Sequence, residues 1–592
     1  MARRLAVAAL VALASLFLGD TARAELSQLF PGATYEQSVQ FTPHGPVTIH
    51  VVRGPRPVGL YRLRTVLSNE AVVRTETLTS MQRRRASLGT TVGVNGDFSS
   101  SDGRPSGILV RDGTLVTPPA PERSSAGVSL DGTLDVRRVT FFGAWRGAGR
   151  SRKLNEFNDA PEKNGVALFT SDWGTATPPV PNSHAVVLSP FPAAVPEVDL
   201  SAEVTWSGPG SQLAVAPGTA VLVARGDAAA SLRAEAPVGT TVTLRLSLRP
   251  EWAVADAIGG GPVLVRDGKP VHTANEAFTT SQILPRHPRS AVGQLADGRI
   301  LLVVADGRRS GYSIGLTTFG MALTMGRLGA VRAMQLDGGG SSTLAFEGSV
   351  LNRPSDGRER PVPNALMLEY TGAYVPPPVA AIHSPNGDGV GDLQRLAFKV
   401  VGPSQVTVRL TAPDGSIAFE ETGPREPGTY GVAFPPPVDA PVPVPGVEPP
   451  PVPQLAEGLW TLSVAATDDQ GLPSSAVLRF AVNTTLGFLR VVPRRLVLRP
   501  RRGGAAVVRW TQARAAGVTV RIATAGGILV RSFRLGQVSP GEHALTWNGR
   551  RRNGKHVAGG RYVVRVSAKN GLGTVTLERR LAVRRILARP ER

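Results

Sequence analysis

The run Ala330-Val-Arg-Ala-Met-Gln-Leu336 reads as a buried strand, and it leads directly into Asp337-Gly338-Gly339-Gly340-Ser341-Ser342-Thr343. This junction constrains the chain more than any other stretch. Glycine admits positive φ and has no side chain in the way, so a strand entering such a loop brings backbone close to a ligand. The Gly338–Gly340 amides and the hydroxyls of Ser341, Ser342 and Thr343 are suited to cradling an anion. Asp337 places a carboxylate at a rigid strand end. Taken alone, the loop is more simply a glycine-rich turn in a β-rich protein. Its neighbours change that balance.

The chain has 592 residues, too many for a single core, so several domains are expected. Met1-Ala-Arg-Arg4, the apolar run Leu5 to Leu18 and Ala22-Arg-Ala24 have the order of a signal peptide cleaved after Ala24. The apolar run is short for a span of ~20 residues, and no later run is long enough, so a secreted or envelope-associated protein is expected. With no cysteine, thiol catalysis and Cys-ligated zinc are excluded, and stability cannot come from disulfides. Thr484 to Arg592 holds 24 Lys/Arg and 3 Asp/Glu, leaving 42 of each sign elsewhere, so the whole net charge of +21 lies in the last segment. A cationic tail points to anionic envelope polymers or lipid headgroups as partners. Nucleic acid fits an exported chain less well, and a basic surface without a partner is the alternative.

Short alternating runs such as Val47-Thr-Ile-His-Val-Val52 and Thr90-Thr-Val-Gly-Val94 predict strands. Glu76–Leu88 predicts a helix, and Thr317–Leu328 a second, with apolar positions at Phe319, Leu323 and Met325–Leu328. Asp297-Gly298 between two apolar runs predicts a hairpin. Ile108-Leu-Val-Arg-Asp-Gly-Thr-Leu-Val116 is echoed by Val263-Leu-Val-Arg-Asp-Gly-Lys-Pro-Val271, suggesting two similar hairpins flanking one site. The expected fold class is an α+β catalytic domain rich in β-strand over 25–372, with an all-β insertion at 178–249. Two all-β Ig-like sandwich modules follow, at 375–483 and 484–592. The proline-rich stretch Pro435–Pro453 is too stiff and polar for a core and reads as a long loop or hinge.

Four stretches carry the chemistry: Val94-Asn95-Gly96-Asp97-Phe98; Arg286-His287-Pro288-Arg289-Ser290-Ala291; Val304-Ala305-Asp306-Gly307-Arg308; and Leu336-Asp337 through Thr343. In this order and spacing they resemble the phosphodiester glycosidase family, over about Val94 to Tyr370. Asn352-Arg-Pro354 and Arg360-Pro-Val-Pro-Asn364-Ala365 are similar to its closing segment. The family usually has glycine where this chain has Asp97, which would narrow the site or add a carboxylate. The resemblance implies hydrolysis of a sugar-1-phosphodiester to free sugar and a phosphomonoester, with a phosphodiester-linked glycan as substrate; no cofactor is assigned to the reaction, and the sequence leaves metal dependence open.

The residue types suit that reaction. A phosphomonoester is already a good leaving group, so charge stabilisation matters more than strong acid assistance. Arg289 and Arg308 offer planar forks for phosphate oxygens. Asp337 or Asp306 would stabilise the sugar cation, attack it, or activate water, with Asp337 favoured by its rigid strand end. His287 would assist the site or be structural. Asn95 and Asn364 would bind sugar hydroxyls or act as turn caps.

Asn386, Asp388 and Asp392, with glycines between them, resemble a calcium loop, since a hard cation wants several oxygens on a flexible turn. A tight polar turn is an equal alternative. Leu545-Thr-Trp-Asn-Gly549 and Gly559-Gly-Arg-Tyr562 resemble the flagellar-hook-cap type of Ig-like repeat, which implies a fold and not an activity. Two rival functions stand beside hydrolysis of the sugar bond. One is a non-catalytic envelope protein that binds anionic glycans in the same pocket, and the other is a phosphodiesterase that cuts P–O.

Overall fold

A computed structural model describes residues 26–272, 275–378, 382–436, 455–499 and 504–586. The expected signal peptide and most of the Pro435–Pro453 stretch lie outside the described residues. Among the described residues no helix is long and apolar enough to cross a membrane. The chain divides into two compact units, residues 1–371 and 372–592. It is 51% strand and 7% helix, so helices cap sheets rather than form layers of their own.

In the first unit, two sheets meet at the Asp337 loop. One has eight strands, with Gly45–Gly54, Ile300–Ala305, Arg289–Leu295 and Ala330–Gln335 adjacent in that order at its centre. Arg289–Leu295 pairs antiparallel with both neighbours, Arg289 opposite Ala305 and Ala291 opposite Gln335. This register puts the first residue of one strand and the last residues of two others at one sheet end. The second sheet places Thr90–Asn95 between Leu344–Phe346 and Asn364–Tyr370, with Asn95 opposite Ala365. The two sheets are joined where the Asp337 amide donates to the Gly96 carbonyl (3.0 Å) and the Asn95 amide to the Thr343 carbonyl (3.1 Å).

The predicted helices form in shortened versions, Leu78–Arg84 and Thr318–Arg327. Thr317 caps the second by accepting the Gly320 amide at 2.9 Å. Its core face is Met321, Ala322 and Met325, packed on Ile49, Leu301 and Val303, while Leu323 is 42% exposed. Phe319 and Leu328 pack against the same core, so of the expected apolar positions Leu323 faces outward. Both echo hairpins form, each turning on an Asp-Gly pair with both φ positive (Asp112 +48°, Gly113 +76°; Asp267 +50°, Gly268 +74°). They belong to different sheets.

The 178–249 insertion has different limits and content from those expected. Thr140–Arg146 pairs along its whole length with Thr241–Arg249, and Val166–Thr170 pairs with Ala220–Arg225. Trp145, Phe157 and Leu168 share one core with Leu200, Leu222 and Leu244. The layer therefore begins near residue 140, and it carries a helix, Asp227–Glu235.

The second unit contains two sandwiches. The first is packed around Phe398, Trp460 and Phe480, and the second around Trp510, Trp547 and Tyr562. Strict alternation along strands such as Ala516–Thr524 buries Val518, Val520 and Ile522 and leaves Arg521 outside.

Candidate active site

Arg289 is buried at the start of its strand. Its Nε donates to the Leu316 carbonyl and its Nη2 to the Pro285 carbonyl, both at 3.0 Å. These bonds hold the guanidinium beside Gly338. Burial, reinforced by the nearby Arg308, lowers its pKa to about 10 against the pull of Asp337. Arg308 stands with φ +58°, a conformation costly for a side chain with a Cβ. Its Nε donates to His287 Nδ1 at 3.3 Å. Arginine has no acceptor, so Nδ1 must be the unprotonated ring nitrogen. Burial, then Arg308 and Arg289, hold the His287 pKa below its usual value, which preserves that acceptor. Among the described residues neither arginine has a carboxylate ion-pair partner, although the two are close enough to repel each other.

The loop between them is tightly made. Gly339 has φ +62°, and a Cβ there would lie 3.1 Å from Arg308 Nη2, while one on Gly340 would lie 1.9 Å from Arg360 Nη2. Glycine here lets guanidiniums approach the backbone. Of the three glycine amides expected to cradle an anion, those of Gly338 and Gly339 are already bonded within the protein. Gly338 N donates to Asp337 Oδ1 (2.7 Å), Gly339 N to the Pro288 carbonyl (2.9 Å) and Thr343 N to Asn95 Oδ1 (3.1 Å). Ser341 N and Ser342 N close the short 3₁₀ turn. Ser341 lies beside Asp337, while the Ser342 and Thr343 hydroxyls are buried without partners. The full positive charges at this site are those of Arg289, Arg308 and Arg360.

Asp337 is partly exposed at the end of the Ala330–Gln335 strand. Burial raises its pKa, opposed by Ser341, the Gly338 amide, Arg360 and Arg289. Asp306 differs. It is 1% exposed, and His50 Nε2 (3.0 Å), Tyr312 Oη (2.9 Å), Asn352 Nδ2 (3.0 Å) and the Arg353 amide (3.1 Å) all donate to its carboxylate. Burial alone would raise its pKa, but the His50 bond and the others hold it below the usual range. A carboxylate occupied in this way cannot also attack or activate water, so Asp306 is a positioning group. It fixes the 342–353 segment, since Asn352 also bonds the Ser342 carbonyl (3.1 Å). His50, Tyr312 and Arg360 were missed as site residues. His50 lies in an ordinary alternating strand, and no local signal marks it.

Asn95 and Asn364 are fully buried and face protein. Asn95 Nδ2 donates to the Asp337 carbonyl (2.8 Å), and its Oδ1 accepts from Ser290 Oγ (2.7 Å). Asn364 Oδ1 accepts the Asp97 amide (2.8 Å). Asn95 braces the Asp337 loop from behind and Asn364 the Asn95–Phe98 turn, and neither reaches toward a sugar. Asp97 is also turned inward. Its Oδ1 accepts the Phe98 amide (2.8 Å), and its buried Oδ2 lies against Gly259 and Gly107. Burial pushes it up to about 7, opposed by the Phe98 amide and Arg123. The native state thus holds this proton where the unfolded chain has lost it. Stability falls as pH rises from about 4 to about 7 and is level above that. Asp97→Asn should therefore stabilise the full chain more at pH 8 than at pH 5, by about 3 kcal/mol, as measured by thermal unfolding. An equal shift at both pH values would show that the carboxyl is ionised throughout.

In the 386–392 loop the side-chain oxygens are engaged with backbone amides. Asp392 accepts the amides of Asn386, Gly387 and Gly389 (3.0, 3.0 and 2.6 Å). Asp388 accepts those of Val390 and Phe488, both at 2.8 Å, and Asn386 Oδ1 accepts that of Asp388 (3.1 Å). The oxygens cap backbone and dock the next sandwich. Among the described residues no group of three or more His, Asp or Glu is placed to hold a metal ion.

Residues 200–369 match the model of the phosphodiester glycosidase family, and 500–571 match that of the FlgD Ig-like domain. The first match contains Arg289, Asp306, Arg308 and Asp337 but not the Asn95 turn. A 107-residue segment is 42% identical to the SPbeta prophage-derived uncharacterized protein YomE of Bacillus subtilis (strain 168). That match spans 18% of this chain and 16% of the relative. A hypothetical protein from Synechocystis is 23% identical (TM-score 0.49), covering 59% of this chain and 64% of its own. The catalytic domain of zebrafish N-acetylglucosamine-1-phosphodiester alpha-N-acetylglucosaminidase, auto-inhibited by its pro-peptide, is 14% identical (TM-score 0.32; 58% and 84% covered).

Proposed function

We propose that the first unit, carrying a phosphodiester glycosidase domain, is an exported hydrolase that cleaves the C1–O bond of a sugar-1-phosphodiester in an extracellular or envelope glycan. One observation carries this reading. Arg289 and Arg308 converge, without carboxylate ion-pair partners among the described residues, on a glycine loop that also presents Asp337. Two neighbouring guanidiniums repel unless an anion lies between them, and a phosphodiester supplies that anion in the geometry their forks fit. Asp337 then faces the positive charge that develops at the sugar, and its raised pKa suits proton exchange with the attacking water. His287 aims Arg308. Export rests on the Met1–Ala24 segment.

The bond cleaved distinguishes this reaction from its rivals. Water adds to C1, the C1–O bond breaks, and the phosphomonoester leaves with the former bridging oxygen. In ¹⁸O-water the label is expected in the released sugar, read by mass spectrometry. Label in the phosphate would assign P–O cleavage. Absence of sugar release from a panel of sugar-1-phosphodiesters would remove the enzymatic reading.

A further inference from the structure

The larger sheet of the sandwich at 484–586 has an outer face rich in arginine. Its five-stranded sheet runs in the order Arg495–Leu498, Gly573–Arg585, Gly560–Asn570, Ala516–Thr524, Leu529–Val538. Inward positions are apolar and buried, among them Val520, Val564 and Leu577. Outward positions on the three interior strands carry Arg521, Arg561, Arg565, Arg580 and Arg584, all exposed. Lys569 continues the row, and the flanking strands add Arg495 and Arg534 on the same side. The described part of this sandwich holds two carboxylates. Glu542 lies on a strand of the other sheet, and Glu578 pairs with Arg565.

Arg521 lies directly opposite Arg565 in the ladder. Like charges in that register destabilise a sheet. Charged residues often protect sheet edges from pairing, but these arginines are on interior strands. The core gains nothing from them, since its apolar side chains point the other way. The arrangement instead forms a cationic grid, about 4.8 Å between strands and about 7 Å along each strand. A flexible chain with one anion per repeat can set successive anions on it.

We infer that this face binds a linear phosphodiester polymer of sugar or polyol units and tethers the catalytic unit to the class of polymer it cuts. The choice of polymer rests on the proposed function, whereas the anionic character of the partner rests on the face alone. Guanidinium forks favour phosphate. The outward positions of these strands carry no aromatic ring of the kind that stacks single-stranded nucleic acid or anchors at a membrane interface.

The test uses the full chain and a labelled poly(glycerol phosphate) chain, with neutral dextran, phosphatidylglycerol vesicles and single-stranded DNA as comparisons. The Arg521→Ser/Arg565→Ser double variant should bind the polymer about fivefold more weakly per arginine removed. Its salt dependence should be shallower by about two charges. Arg509→Ser, exposed on the other sheet, should bind as the parent does. The inference is overturned if the double variant binds like the parent, if Arg509→Ser weakens binding as much, or if vesicles or DNA are preferred. Hydrolysis of a small soluble sugar-1-phosphodiester is assayed separately. A chain that binds polymer but releases no sugar overturns only the catalytic reading.

Discussion

Asp337→Asn is expected to lower sugar release from a sugar-1-phosphodiester by about 10²–10⁴-fold, with affinity for the same diester changed only a few-fold. The substitution conserves size, and its carbonyl oxygen can still accept the Gly338 amide that the carboxylate holds at 2.7 Å. The loop should therefore keep its shape. Phosphate binding depends on Arg289 and Arg308, which the change does not touch. What is lost is the negative charge beside the sugar and the ability to exchange a proton. Because burial raises the Asp337 pKa, the acid limb of the pH–rate profile should lie above the ordinary carboxylate range. Isothermal titration and initial rates on one diester check both halves. Full turnover in the variant would reduce Asp337 to a loop anchor, and a parallel loss of binding and turnover would argue for the same role.

Asp306→Ala is expected to be the most destabilising change near the site, about 3–5 kcal/mol. It leaves His50, Tyr312, Asn352 and the Arg353 amide facing a cavity with no acceptor. Calorimetry of the full chain should show the transition of the first unit moved to lower temperature and that of the sandwiches unchanged. The pH dependence has a definite sign. The folded pKa of Asp306 lies below the unfolded value, so its stabilisation is present above that value and is lost as pH falls through the folded pKa. The variant and the parent should therefore converge in stability in strong acid. An unshifted transition at neutral pH would mean that the four donors find other partners.

These two aspartates mark how far sequence reading reached. Each ends a strand, each precedes a glycine, and spacing alone left both as candidate catalysts. They are separated by partners distant in the chain: His50, 256 residues before Asp306, takes its carboxylate out of play. The same holds for Asn95, whose carboxamide is used by Asp337, Ser290 and Thr343 more than 190 residues away.

Periodicity and turn chemistry are local, so strands, the two Asp-Gly hairpins and the order of motifs could be read directly. They reflect φ preferences and alternation within a few residues. The Asp337 loop was likewise legible as a glycine approach to something charged. Pairing between distant strands decided the rest. It moved the start of the 178–249 layer to Thr140, turned Asp97 and Asn364 inward, and used the Gly338 and Gly339 amides on their own surroundings. It also set seven of the tail's arginines on one face of one sheet. Which polar atoms are satisfied inside the protein, and which remain for a ligand, depends on neighbours that only the folded chain brings within hydrogen-bonding distance.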